Sequence, residues 1–278
     1  MSASASLTRI NALVLRHMYL LRSSWPRLLE LAYWPMVQLL TWGFLQSFIG
    51  QSIAGQTVAG ATPGRGLMIA GGTLIGSMLL WDTMFRAQIG FSASFLEEMW
   101  SRNMANLFMS PLRSMEFAGA LMLVSLIRLM VGLIPVTICA FAFFGFNIWG
   151  LGFALIAFFI NLVMTSWAIG LVVSGLILRF GMGAEGLAWS ILFLLMPFAC
   201  VYYPVTVMPG WLQVFAWMLP PTYVFEGMRA ALVDHVFRTD LMLWAFAINI
   251  ALLGAGLWLF VALFDNARRA GSLMQMGE

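Results

Sequence analysis

Residues 92–116 read SASFLEEMWSRNMANLFMSPLRSME, and this stretch, set between two long apolar runs, decides how the rest of the chain is read. It gathers Glu97, Glu98, Arg102, Arg113 and Glu116 in a protein of which only 9% is charged. If its neighbours cross a bilayer, the polar piece must stay outside the hydrocarbon on one side, because buried unpaired charge there costs several kcal/mol per group. The neighbours meet that condition. Over 278 residues the chain is 62% hydrophobic with mean hydropathy +0.93, whereas roughly a quarter of a soluble domain is charged.

Working outward, apolar runs at 31–49, 67–89, 117–145, 151–178, 187–201 and 241–264 alternate with short polar breaks. A helical crossing needs about 20 apolar residues, so the expectation is an all-α membrane protein with six transmembrane helices in one domain over 1–278. Pro35 falls in the first turn of the first run, where proline is tolerated. Residues 50–66, rich in Gly, Ser and Thr, read as a loop on the far side. The break at Phe146-Asn147 is so short that its flanking spans must be antiparallel neighbours.

Before the first span, residues 1–28 form an N-terminal amphipathic segment. Leu7, Ile10, Val14, Met18 and Leu21 recur at helical spacing, with Arg9, Arg16 and Arg22 between them. This pattern suits a helix lying along the headgroups. The segment lacks the clean apolar core and small-residue cleavage site of a signal peptide. Near the other end, 202–240 carries three proline breaks, Pro204, Pro209 and Pro220-Pro221. They exclude one continuous helix and point to short external or re-entrant helices before the last span. In the second of these, Glu226 and Arg229 oppose an apolar face of Phe225, Met228 and Leu232.

All fourteen basic residues are arginine. A phosphate-cradling Walker A loop and a Schiff-base enzyme each need a lysine, so any ATP-driven work requires a separate chain. Cys139 and Cys200 sit in apolar runs, and His17 and His235 have no ligand partners in sequence, with surface or interfacial positions expected for both histidines. No metal is assigned. Within the second span Asp82 and Arg86 are four residues apart, on one helix face, and read as an intramembrane ion pair. Arg128 is near enough to the start of its span to snorkel. With six spans, both termini, 92–116 and 179–186 share one side, which collects most of the arginines. The positive-inside rule makes that side cytoplasmic.

The 92–116 segment, with Glu97-Glu98 and LFMSPLR at 107–113, together with YYPVTVMPGWLQVFAWMLPPTYVFEGMRAAL at 202–232, resembles the corresponding parts of ABC-2 type exporter permeases. The resemblance implies a multi-pass subunit of a bacterial inner membrane that pairs with a second permease copy, in a homodimer. It also implies a cytoplasmic ATPase partner that binds ATP and Mg, leaving this chain without cofactor, enzyme activity or nucleic-acid partner. The implied cargo is an amphipathic, lipid-linked, glycan or drug-like molecule moving outward. By the same resemblance 92–116 holds a coupling helix at about 95–106, with Glu97, Glu98 and Arg102 facing the ATPase and Leu96, Met99 and Trp100 as apolar anchors. The competing reading is an ion-coupled secondary transporter using Asp82, which normally shows two similar halves; no internal repeat is visible.

Overall fold

A computed structural model of the protein describes residues 3–55 and 63–270. The described elements are helical, as lipid demands, since only local hydrogen bonds can satisfy the backbone there without a closed sheet. In order they are α1 (Ala3–Arg22), α2 (Trp25–Gly55), α3 (Pro63–Trp100), α4 (Met104–Met109), α5 (Ser114–Phe144), α6 (Phe153–Phe180), α7 (Gly186–Leu195), α8 (Gly210–Trp217), α9 (Pro220–Arg229) and α10 (Thr239–Ala270). A π-helical turn at Ala230–Asp234 continues α9. The loop expected over 50–66 is shorter than the sequence suggested, because α2 runs to Gly55 and α3 begins at Pro63. Residues 56–62 lie outside the described residues.

The bundle has two ends. At the charged end Arg268, late in α10, reaches the carbonyls of Ser110 and Leu112 at 3.4 Å each. There the Trp100 indole donates to Glu185 at 3.4 Å. At the far end Gly145 closes α5 in the left-handed region, at φ 65°, and the Phe153 and Phe237 rings meet at 6.4 Å. Between the ends, Phe91, Phe95, Phe117, Phe260 and Phe264 form a core shared by α3, α5 and α10. A second core of Met84, Phe158, Phe225 and Met228 joins α3 and α6 to α9.

Among the described residues, α5, α6 and α10 are long and apolar enough to cross a bilayer. The fifth expected run behaves differently. Within 187–201 the helix stops at Leu195, and Cys200 takes φ 53°. Ten helical residues rise only ~15 Å, about half of a ~30 Å hydrocarbon core. The chain still travels from end to end, in pieces. Gln88 donates to the Ala188 carbonyl, Phe193 packs on Phe85, Tyr202 stacks on Trp42 at 4.4 Å, and Phe237 reaches Phe153.

The contact between α6 and α10 depends on the absence of a side chain. A Cβ built on Gly256 would lie 2.9 Å from the Ala168 carbonyl oxygen, a backbone atom that cannot step aside. Gly254, two residues earlier, has open space. Gly256→Ala is therefore expected to cost about 1–3 kcal/mol through forced helix separation. Thermal unfolding in detergent should show a lowered midpoint for Gly256→Ala and almost none of that loss for Gly254→Ala.

Candidate functional site

Glu98, in the last turn of α3, is fully buried. A carboxylate out of water needs opposite charge and hydrogen bonds together, and it receives both. Arg16 of α1 donates to Oε1, His17 Nε2 lies 3.4 Å from the same oxygen, and the Asn103 amide donates to Oε2 at 2.7 Å. Asn103 also donates its backbone N–H to the Glu98 carbonyl at 3.0 Å. Glu98 thus shapes the turn that follows α3, in which Arg102 adopts φ 53°.

A second tie lies one helix away. Glu116, in the first turn of α5, accepts from Arg9 Nε at 2.8 Å and Nη2 at 2.5 Å, and from the Ser6 hydroxyl at 2.6 Å. It also accepts the Arg113 backbone N–H at 3.1 Å, the return half of a capping box. The third tie joins Arg128 Nη2 to Glu97 at 2.6 Å, so the Arg128 side chain extends toward the charged end. Its Nε is buried without a partner.

These ties correct two expectations. Arg9 and Arg16 of α1 engage protein carboxylates instead of headgroups, because Glu98 and Glu116 stand under them. His17 is buried, not at a surface; its Nδ1 lies 3.0 Å from the Leu13 carbonyl and its Nε2 3.4 Å from that of Ser94. The expected coupling residues also divide. Leu96 and Glu98 have no exposed surface and serve the inside of the junction. Glu97 is held by Arg128, Met99 is half-buried, and Trp100 and Arg102 are exposed at the tip.

Asp82 and Arg86 pair at 2.7 Å, and the structure adds a reason that spacing alone could not supply. Helix α2 starts at Trp25, so Pro35 lies in its interior and not in a first turn. Lacking an N–H, Pro35 leaves the Leu31 carbonyl without its helical donor. Arg86 Nη1 donates to that carbonyl. Gly132 of α5 makes room, since a Cβ there would lie 2.7 Å from both Arg86 Nη1 and the Leu31 oxygen.

Glu226 and Arg229 also face inward. Arg229 bonds to Glu226 at 3.1 Å and to the carbonyls of Cys200, Val201 at 3.1 Å and Tyr203 at 2.8 Å. Glu226 accepts the Val205 N–H at 2.8 Å. Together they staple the irregular 200–205 segment to α9. Sequence reasoning missed a buried network in which Thr165 donates to Asn249 at 2.7 Å and Asn249 donates to Asn161 at 3.1 Å. Two asparagines inside apolar runs were the available signal.

Removing one partner from the Glu98 cluster leaves buried groups unsatisfied. Glu98→Ala is expected to lose about 2–4 kcal/mol, less than for a fully enclosed pair because Arg16 keeps some water contact. Denaturation in detergent checks this. Burial holds the His17 imidazole below its ordinary value, against the pull of the Leu13 and Ser94 carbonyls. The unfolded chain then binds more protons at this site. Its contribution is therefore complete above about pH 6.5 and is lost as pH falls toward the depressed folded value. The midpoint of wild type should fall more steeply than that of His17→Asn between about pH 7 and pH 5.

No curated protein matches the chain. The family model described as ABC-2 type transporter matches residues 18–233, from within α1 to the turn after α9. That span takes in Glu98 and Asn103, though not Arg16 and His17, along with the Asp82–Arg86 pair and the Arg229 staple, and the chain belongs to the ABC-2 type transporter family.

Proposed function

We propose that this chain is the permease subunit of an ATP-driven exporter, working as a homodimer with a cytoplasmic ABC ATPase that binds ATP and Mg. The observation that carries the reading is the junction at the charged end. Three carboxylates, Glu97, Glu98 and Glu116, tie α1, α3 and α5 together, while Trp100 and Arg102 remain exposed at its tip. A push on that tip moves three helices together, as coupling to a separate motor requires. Trp and Arg are the side chains most often found as anchors in protein interfaces. A chain without lysine has no Walker A lysine of its own.

In this reading the charged end faces the cytoplasm of a bacterial inner membrane, in line with its arginine excess. The chain crosses six times, and its fifth crossing is divided between α7 and the α8–α9 hairpin, which is re-entrant from outside. The cargo is amphipathic and leaves from the cytoplasm or the inner leaflet. The ion-coupled alternative finds little support, because Asp82 is already paired with Arg86 and fenced by α2 and α5.

Arg102→Glu together with Trp100→Ala should weaken retention of the ATPase about tenfold or more, as expected for an interface anchor. Pull-down from mild detergent reads retention, while an unchanged melting temperature shows that the junction is intact. Undiminished retention would remove the coupling role from this tip. Asp82→Asn should leave ATP-dependent transport in vesicles measurable, and its complete abolition with normal folding would favour ion coupling.

A further inference from the structure

An apolar groove of about 290 Å³ runs along the side of the bundle between α6 and α7. Its floor is α6, through Thr165, Ala168, Val172 and Leu176, and its opposite wall is α7, through Leu187, Ile191 and Leu195. At the inner end Pro220 and Pro221, which open α9, close it against Leu252 of α10. The one polar side chain in the lining is Thr165, whose hydroxyl already bonds to Asn249.

Three features describe an occupant. From Thr165 to Leu176 the floor rises ~17 Å at ~1.5 Å per residue, roughly half of a ~30 Å hydrocarbon core, which is the depth of one leaflet. The proline roof stands at the inner end of that path, so the groove reaches from the charged end to mid-bundle and stops. The lining is apolar apart from Thr165, whose hydroxyl is already bonded, and this suits an acyl chain.

The open end has a charge. Thr165, Ala168, Val172 and Leu176 advance at intervals of three and four, and the next position on that stripe is Arg179. Arg179 is exposed, with its guanidinium 5.4 Å from the ring centroid of its neighbour Phe180. Among the described residues it forms no ion pair. The carboxylates of Glu97, Glu98 and Glu116 at the same end are engaged by Arg128, Arg16 and Arg9, and that of Glu185, beside the mouth, accepts from the Trp100 indole.

We infer that this groove is a binding site for an anionic phospholipid of the leaflet at the charged end, with one acyl chain between α6 and α7 and its phosphate on Arg179. Such a lipid fills the gap that separates α7 from α6 along the length of α7. It seals the apolar face left where the chain turns away at Leu195. The inference rests on α6 and α10 lying in the membrane and is independent of what the transporter exports and of its ATPase.

The test uses the full-length protein, purified and delipidated in detergent, titrated with phosphatidylglycerol or phosphatidylcholine of identical acyl chains. Bound lipid is counted by native mass spectrometry, and thermal midpoints are recorded in parallel. Wild type should retain one phosphatidylglycerol per chain and gain more stability from it than from phosphatidylcholine. Arg179→Gln should weaken phosphatidylglycerol binding about tenfold and bring it level with phosphatidylcholine. Leu187→Trp, at the partly exposed mouth, should reduce binding of both lipids. Both substitutions sit at exposed positions, so the lipid-free melting temperature should stay unchanged. Equal binding of the two lipids to wild type, or a phosphatidylglycerol response indifferent to either substitution, would overturn the assignment. Protection of Leu187→Cys from a thiol reagent on dimerisation, with no lipid present, would overturn it as well and give the groove to a second copy.

Discussion

A carboxylate with no exposed surface at the end of α3 is the constraint on which the charged end depends. Glu98 cannot remain ionised there alone, and the groups that satisfy it come from α1, through Arg16, and from the turn after α3, through Asn103. Meeting that demand places α1 across the end of the bundle and sets the direction of the chain after Trp100. The Arg9–Glu116 pair repeats the arrangement on α5. Two ion pairs from one face of α1 hold it at two points along its length, which restricts rotation as well as separation. Arg128–Glu97 adds a third tie, between α5 and α3.

The same physics operates inside the bundle. Pro35 removes a backbone donor from α2 and leaves the Leu31 carbonyl without its helical partner. Arg86 supplies the donor, Asp82 balances the arginine, and Gly132 makes space for both. Three residues from two helices therefore answer one missing N–H on a third. At the far end Arg229 satisfies three carbonyls of a segment that leaves helical geometry between Leu195 and Val205, with Glu226 fixing its other edge. Irregular backbone at membrane depth requires such internal donors. The staple thus makes the break after α7 tolerable and frees the chain to form the α8–α9 hairpin.

The Asn161–Thr165–Asn249 network differs in kind, since its groups satisfy one another across α6 and α10 without charge. Together with the close approach at Gly256, it gives two apolar helices a defined register. Leucine contacts alone would specify that register poorly, because lipid packs against leucine equally well.

Composition and periodicity determined the helical class, the polar segment at 92–116, the amphipathic character of the first helix and the lack of a Walker A lysine in this chain. These follow from local properties: the length of an apolar run, the spacing of Leu7 through Leu21, the absence of lysine. The pairing of Asp82 with Arg86 was also legible, since four residues along a helix bring two side chains to one face. What the charges do was decided only by the tertiary structure. Glu98 looked like a surface group for a partner and is buried. Arg16 looked like a headgroup contact and is its counter-ion, and Arg86 also answers a proline fifty residues away in sequence. The partners are long-range in each case, and sequence spacing holds no information about which helices become neighbours. The fifth apolar run failed as a continuous helix for the same reason. Hydropathy records that residues 187–201 prefer lipid, but whether the backbone stays helical depended on Arg229 being near enough to satisfy it when it does not.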